Sequence, residues 1–322
     1  MRPLTRRPSL RFACLFALTC ATTSVLAGPM FATGQRLTAA VPGVHDDIRE
    51  NFVYRIDLDT GLATPVSPAT SGLPPALGGT PDALFGYRSR SLGTVDPATG
   101  AFTTIASGGP SATNLDLLAD GRAYLVPFDA AFETQQLHRF DVGSLVWLPL
   151  GSATSAGDAI DLARGTPAGT AEPFVISLGS VGDALFGIDL DSGSLVRFDA
   201  DTGTASVVGE VGAVTAGTAA DYSGFAALSG ADTDGDGDFD SLFGVANFLS
   251  TAGGPAERLG GIIRFDLDDG TWDLVGTNPG VIFFGMGAQP SHVDGPSTTA
   301  LALLGIGLAV FGARRRARAF DA

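Results

Sequence analysis

Short runs of alternating apolar and polar residues recur along the middle of the chain, and each run ends at an aspartate. The first run is Tyr54-Arg-Ile-Asp57-Leu-Asp-Thr-Gly61, and a second apolar run follows the turn. An aspartate side chain caps such a turn, glycine adopts its positive φ angle, and the flanking residues pair as a β-hairpin. The five turns of this kind are Asp57–Gly61, Asp96–Gly100, Asp141–Gly143, Asp199–Gly203 and Asp266–Gly270.

A second apolar element, which contains an aromatic residue, precedes most of these hairpins. It reads Leu84-Phe85-Gly86, Leu185-Phe186-Gly187 and Leu242-Phe243-Gly244, with Ala123-Tyr124-Leu125 in the matching place of another unit. We expect this element to form an inner strand of each unit. The units follow one another at about 50 residues, close to the roughly 40–50 residues of propeller repeats.

The repetition predicts an all-β fold, a β-propeller of about five to seven blades over residues 28–290. No amphipathic helix pattern lies within that range, and glycine, threonine, valine and aspartate dominate it. A ring of four-stranded blades lets each hairpin bury both faces without open sheet edges. A pair of β-sandwiches and an open β-solenoid are the alternatives that the same repeats allow.

Residues 1–27 have the pattern of a secretory signal peptide. Four arginines lie within the first 11 residues, residues 12–21 are apolar, and Val25-Leu26-Ala27 fits a cleavage site before Gly28. The pair Arg6-Arg7 also resembles a twin-arginine signal, which would mean export of an already folded domain. A buried N-terminal helix is the remaining alternative.

The C-terminal residues 291–322 combine a short polar motif at about 293–298, an apolar segment at 298–313 and an arginine cluster at 314–318. As a helix the apolar segment would be about 24 Å long, somewhat short of a hydrocarbon core of about 30 Å. Arginines at its end can reach the lipid surface, and positive charge favours the cytoplasmic side. We therefore expect a single membrane-spanning helix with the body outside; a core helix of the globular domain is the alternative.

This tail resembles the PEP-CTERM sorting signal of Gram-negative bacteria that produce exopolysaccharide, in which Pro-Glu-Pro precedes an apolar helix and an arginine cluster. Here Pro296 keeps the second proline, while Asp294 and Gly295 replace the first proline and the glutamate. The resemblance implies export machinery and an exosortase-like peptidase as partners. It also implies a body that is anchored at the cell envelope or released to the extracellular matrix. The hairpin repeats themselves resemble the propeller-like domains of exported bacterial proteins.

The charge of the chain limits its partners. It has 34 acidic residues against 19 basic ones, all of them arginine, and a net charge of −15 at pH 7. Such a chain repels phosphate backbones, which excludes nucleic acid as a partner. Both cysteines, Cys14 and Cys20, lie within the predicted signal peptide, so a hydrophobic core or a bound metal has to stabilise the mature protein.

One short segment concentrates carboxylates. Asp232, Asp234, Asp236, Asp238 and Asp240 follow the pattern D-x-D-x-D-G-x-x-D. Ca²⁺ needs six to eight oxygen ligands, and alternate carboxylates of a tight loop can converge on one ion, with the carbonyl of Asp238 as a neutral ligand. We predict a structural Ca²⁺ here, because the five carboxylates would otherwise repel one another. A solvated acidic turn is the alternative.

The same segment resembles the FG-GAP type of calcium loop, which joins two strands of a propeller blade. That resemblance implies Asp232, Asp234, Asp236 and Asp240 as side-chain ligands. No helix pattern flanks the loop and Phe243 stands where an EF-hand would have its last glutamate, so the loop is not an EF-hand.

Candidate catalytic residues are few. No nucleophile elbow, phosphate-binding loop or dinucleotide fingerprint occurs, and no histidine has a partner at metal-ligand spacing. The aspartate pairs recur at turn positions, which favours turn caps over glycosidase carboxylates, and the two tryptophans fit a core better than a sugar-stacking surface. These residues are His45, His138 and His292, the pairs Asp57/Asp59, Asp189/Asp191 and Asp268/Asp269, and Trp147 and Trp272.

Together these features favour an exported protein of the cell envelope or exopolysaccharide matrix, whose non-catalytic propeller serves interaction or structure and binds Ca²⁺. Exopolysaccharide or surface proteins are the expected partners. The competing hypothesis is a secreted polysaccharide-active enzyme with carboxylates at the mouth of the propeller.

Overall fold

The computed structural model describes residues 27–38, 48–80, 82–118, 120–127, 136–150, 175–189, 193–211, 220–250 and 257–289. These residues form 20 β-strands, and no helix occurs among them. The strands are β1 (Met30–Thr38), β2 (Ile48–Ile56), β3 (Ala63–Pro65), β4 (Ala76–Thr80), β5 (Ala83–Arg88), β6 (Ser91–Val95), β7 (Phe102–Ser107), β8 (Asp116–Leu117), β9 (Ala123–Leu125), β10 (His138–Asp141), β11 (Val146–Pro149), β12 (Val175–Val181), β13 (Ala184–Asp189), β14 (Ser194–Asp199), β15 (Ala205–Glu210), β16 (Ala220–Ala231), β17 (Ser241–Ser250), β18 (Glu257–Phe265), β19 (Trp272–Pro279) and β20 (Val281–Ala288).

The strands form five antiparallel four-stranded sheets, which are the blades of a five-bladed propeller. The first blade has the order β20-β1-β2-β3, so the last strand of the chain closes the ring beside the first. The second to fifth blades are β4–β7, β8–β11, β12–β15 and β16–β19 in sequence order. The predicted all-β propeller is confirmed, and the number of blades is five.

The innermost strands β20, β4, β8, β12 and β16 contact one another around the axis. Glycine permits this close approach, since a Cβ on Gly79 would collide with the carbonyl of Ala288 and one on Gly230 with the carbonyl of Ser180. The cavity left among these strands measures about 10 Å³, room for about one water molecule. The described backbone therefore closes the axis at this level.

Five buried hydrophobic clusters hold the blades together, one at each boundary between neighbouring blades. The cluster between the first and fifth blades contains Tyr54, Phe283 and Phe243, and the one between the third and fourth contains Tyr124 and Phe198. Because strands alternate their side chains between two such boundaries, the inner strands of each blade are buried on both faces. Outermost strands such as β7 and β11 are largely exposed.

The aspartate turns join the third strand to the fourth in all five blades. In each turn the residue four positions after the aspartate donates its N–H to the aspartate carbonyl over 2.7–3.0 Å. This residue is a glycine with φ between +67° and +79° in four blades, whereas Leu145 has φ +57° in the third. The predicted turn Asp141–Gly143 thus ends at Leu145, and Gly143 is not its positive-φ residue.

The aromatic elements form inner strands of their blades. Leu84, Leu185 and Leu242 belong to β5, β13 and β17, each the second of four strands and next to the innermost one. The innermost strands place glycine at their closest contacts, such as Gly79 on β4 and Gly230 on β16, and they also carry aromatic residues such as Phe283 on β20.

The predicted signal peptide and sorting tail lie outside the described residues, except for Ala27. Within the part of the chain that the structure describes, there is no helix of the length and apolarity needed to cross a membrane.

Candidate metal centre

The acidic segment forms the connection between β16 and β17, the first and second strands of the fifth blade. In the fourth blade the equivalent connection is only Gly182-Asp183. The acidic loop is therefore an insertion that distinguishes one blade from its neighbour.

Three of the five predicted ligands converge. Asp232, Asp234 and Asp240 each place one carboxylate oxygen within 4.8 Å of the others. Asp232 is fully buried, while Asp234 and Asp240 are exposed. Asp236 and Asp238 lie outside this group, with exposed side chains. The carboxylate cluster thus has one buried and two open members.

Backbone N–H groups hold the converging carboxylates in place. The carboxylate of Asp232 accepts hydrogen bonds from the N–H groups of Gly235 at 2.6 Å and Gly237 at 3.2 Å. Both glycines have positive φ, +76° and +97°, which lets the loop curl around Asp232.

Asp240 closes the loop from the other side. Its carboxylate accepts hydrogen bonds from the Thr233 N–H at 2.9 Å, the Thr233 hydroxyl at 2.7 Å and the Asp234 N–H at 3.2 Å. Burial raises the pKa of Asp240, but hydrogen bonds from Thr233, Ser241 and Asp234 outweigh burial and hold the pKa below its ordinary value. The carboxylate is therefore ionised at neutral pH. Sequence reasoning missed the part of Thr233, which the acidic pattern treats as a spacer.

The loop is tied to three blades. The carbonyl of Asp232 accepts a hydrogen bond of 2.9 Å from the N–H of Gly28, which precedes β1 of the first blade. The carbonyl of Phe239 accepts one of 2.8 Å from Gly182 of the fourth blade. The Phe239 side chain is buried in the cluster between the first and fifth blades. A change in the loop is thus transmitted to both neighbouring blades.

The chemistry of the converging donors fits a hard cation. Three carboxylates are oxygen ligands of the kind that Ca²⁺ prefers, and their mutual repulsion falls when a cation binds between them. Three side-chain ligands are fewer than the six to eight oxygens of a complete Ca²⁺ shell, so water and backbone carbonyls would have to supply the rest.

The other candidate residues lie in structural positions. Asp57 accepts hydrogen bonds from the N–H groups of Asp59 and Thr60, as expected for a turn cap. Trp147 packs edge-on against Tyr87, and the Trp272 indole donates 2.8 Å to the carbonyl of Val211. Both tryptophans are half-buried between blades. His45, Asp191 and His292 lie outside the described residues.

His138 and Asp189 belong to blade strands. Burial lowers the pKa of His138, which is half-buried on β10. Asp189 is completely buried at the end of β13. Neither residue lies in the carboxylate cluster.

One unusual carboxyl group gave no signal in the sequence. Asp116, on the innermost strand β8, is 1% exposed, and its Oδ2 has no hydrogen-bond partner. Burial raises its pKa to about 8, and hydrogen bonds from Ser180 and Leu117 offset this only in part. The carboxyl group is therefore mostly protonated at pH 7.

Comparison with known proteins identifies no family for this chain. No family model matches the sequence, and no curated protein matches it. One similar solved structure is a crystal structure of a nidogen/laminin complex. The two sequences are 11% identical, the TM-score is 0.38, and the match covers 81% of this chain and 98% of that chain. A structure of a protein from Lactobacillus plantarum is 13% identical, with a TM-score of 0.35, over 81% and 99%. An auxiliary nutrient binding protein from Bacteroides ovatus is 12% identical, with a TM-score of 0.34, over 77% and 49%. TM-scores this low carry no argument about this chain.

Proposed function

We propose that this protein is an exported component of the cell envelope or exopolysaccharide matrix, and that its non-catalytic five-bladed propeller is stabilised by Ca²⁺ at the loop Asp232–Asp240. The observation that carries the calcium proposal is the convergence of Asp232, Asp234 and Asp240 in a loop tied to three blades. A cation there lowers the mutual repulsion of the three converging carboxylates. Since the mature chain would have no disulfide, metal binding would add to the stability that the hydrophobic clusters supply.

The test compares two exposed aspartates of the same loop. Asp234→Asn removes a converging carboxylate, whereas Asp238→Asn removes the same charge outside the cluster. We expect Ca²⁺ affinity, measured by isothermal titration calorimetry, to fall at least about tenfold for Asp234→Asn and less than about threefold for Asp238→Asn. Calcium should also raise the thermal unfolding midpoint of the wild-type protein, and EGTA should reverse this.

Equal losses in the two variants would mean that the acidic loop attracts cations only by its net charge. Absence of measurable Ca²⁺ binding to the wild-type protein would support the solvated acidic turn instead. Titration with Mg²⁺ is the control for selectivity, because Mg²⁺ demands a small, near-ideal octahedral shell, whereas Ca²⁺ accepts six to eight oxygens in a flexible geometry.

Export and anchoring rest on the sequence of the two ends. A signal peptide at 1–27 and a tail at 291–322 that resembles a PEP-CTERM signal support delivery to the envelope. Intact-mass spectrometry of the protein from separated membrane and medium fractions tests this. A species from Gly28 to near Pro296 is expected if an exosortase-like peptidase processes the tail, and a full tail in the membrane fraction means a simple anchor.

The non-catalytic role is supported by the centre of the ring. Among the described residues, the carboxyl group of Asp116 on an innermost strand is buried, and the axial cavity of about 10 Å³ is too small for a sugar. Co-sedimentation with the exopolysaccharide of the producing strain, without release of reducing ends, is the expected outcome. If the protein instead releases reducing ends, and substitution of an exposed aspartate on the propeller abolishes that release, the competing hypothesis of a polysaccharide-active enzyme is favoured.

A further inference from the structure

The connections of each blade lie at its two opposite ends. Strand pairing in the first blade brings Met30 opposite both Ala288 and Ile56, so the start of β1, the end of β20 and the turn after Asp57 share one end of the blade. In the fifth blade Ala231 pairs with Ser241, and Phe265 with Trp272. The acidic loop and the turn after Asp266 therefore also share one end.

Contacts between innermost strands show that these ends all point the same way. A Cβ on Gly79 would touch Ala288 at the end of β20, and the Ser180 hydroxyl donates 2.9 Å to the carbonyl of Leu117. A Cβ on Gly230 would in turn touch Ser180. The first strands of all five blades thus end at one level. We call this side of the propeller, with the five aspartate turns and the acidic loop, the turn face.

The turn face is strongly acidic. Each of its five turns begins with an aspartate, the loop Asp232–Asp240 adds five more, and Asp120 and Asp183 lie in the shorter connections. In the described connections of this face, Arg122 is the one arginine, and it already pairs with Asp120 at 2.7 Å and Asp201 at 2.9 Å. The connection between β5 and β6 on the opposite face carries Arg90 instead.

The described chain also enters and leaves the propeller on the turn face. The N–H of Gly28 donates 2.9 Å to Asp232 in the acidic loop, and the N–H of Gln289 donates 3.0 Å to Pro29. Residues 290–297 then lead to the apolar segment at 298–313. Eight residues span at most about 30 Å when fully extended. The tail is too short to pass around the propeller and hold its opposite face against a lipid surface.

We propose that the turn face is the membrane-facing side of the propeller, with the layer of lipid headgroups as its neighbour, and that the opposite face points away from the membrane. This inference rests on the proposed membrane-spanning tail. The acidic turn face and anionic headgroups repel each other within a Debye length of about 8 Å. The tether therefore fixes the orientation, and the charge of the turn face keeps it from lying flat on the lipid.

Single cysteines can test the orientation, because both natural cysteines lie in the predicted signal peptide. Ala98 on the turn face and Ser89 on the opposite face are both exposed and flank the same strand, β6. Mature full-length Ala98→Cys and Ser89→Cys proteins would each receive a donor dye and be reconstituted into phosphatidylcholine vesicles with an acceptor-labelled headgroup. Val142→Cys, 73% exposed in the turn of the third blade, is a second turn-face variant should Ala98→Cys fold poorly.

We expect more energy transfer from position 98 than from position 89. The difference should correspond to at least about 15 Å, because β6 has five residues at about 3.3 Å each. If the protein floats with the vesicles but energy transfer from position 89 equals or exceeds that from position 98, the proposed orientation is wrong and the proposed membrane-spanning tail is retained. Failure of the protein to float with the vesicles overturns the tail proposal, and the orientation with it.

Discussion

The buried carboxyl group of Asp116 makes the stability of the propeller depend on pH. Its pKa is about 8 in the folded protein against 3.8 as the ordinary value, and burial is the main cause. Between these two values the folded protein binds a proton that the unfolded chain has released. Stability is therefore fully present below about pH 4 and is lost as the pH rises towards 8. The change to examine is Asp116→Asn, which keeps the shape but cannot ionise.

The magnitude follows from the pH interval. Each pH unit within the window costs about 1.4 kcal/mol of unfolding free energy, so the wild-type protein should lose about 2 kcal/mol between pH 6.5 and 8. Other groups contribute little there. Hydrogen bonds hold the pKa values of turn aspartates such as Asp57 and Asp96 below the ordinary value, so their contributions are complete above about pH 4. Burial lowers the pKa of His138, so its contribution is lost only as the pH falls below about 6.5.

The assay is urea unfolding of mature wild-type and Asp116→Asn proteins at pH 6.5 and 8, followed by tryptophan fluorescence. We expect the wild-type loss of about 2 kcal/mol to disappear in Asp116→Asn, with unchanged m-values. Asp183→Asn, an exposed change on the connection after β12, is the control for net charge and should keep the wild-type pH dependence. The same slope in wild-type and Asp116→Asn proteins would refute the reasoning.

Four further substitutions, one of them a control, test the contacts between blades and the turns. Gly61→Ala places a Cβ 2.5 Å from the Gly276 nitrogen at φ +67° and should lower the free energy of unfolding, measured in urea, by about 3 kcal/mol. The control Gly182→Ala, with φ +58° and open space around the Cβ, should lower it by about 1 kcal/mol. Equal losses would contradict the close contact between Gly61 and Gly276. The Asn278 side-chain amide, 4% exposed, joins the fifth blade to the first by hydrogen bonds to Gly61 at 2.9 Å and Ala63 at 2.8 Å. Asn278→Ala should lower the free energy of unfolding by about 2–4 kcal/mol. An unchanged thermal unfolding midpoint would argue against this link. Leu145→Gly relieves a positive φ at a residue 49% exposed and should raise stability by about 1 kcal/mol by the same measurement, whereas a loss would show that the leucine packs favourably.

The repeat pattern was sufficient to predict the propeller because each turn is a local structure. An aspartate and a glycine four residues later satisfy the turn by themselves, as Asp199 and Gly203 do. The third blade departs from this rule, since Leu145 takes the position of the glycine. Gly143, two residues earlier, led to the wrong prediction of where this turn ends. Strand order was harder to predict, because a second strand and an innermost strand are both buried on two sides.

The candidate site was predictable in composition but not in geometry. The spacing of the aspartates identified the loop, yet which carboxylates converge depends on its curl about Asp232. The backbone hydrogen bonds from Gly28 and Gly182 to the loop join residues far apart in sequence, so no local sequence pattern predicts them. Asp116 was missed for the same reason, because its burial comes from the packing of neighbouring blades.

The closure of the first blade by β20 has a consequence for how the chain folds. Met30 pairs with Ala288, so strands from opposite ends of the chain must meet to complete one sheet. Such a distant pairing carries a large loop-closure entropy and makes ring closure a slow, late step. Until β20 has been synthesised and positioned, β1 has an open edge that can pair with another chain. If the chain is exported unfolded, from its N-terminus, that edge stays open until almost all of the protein has left the cytoplasm.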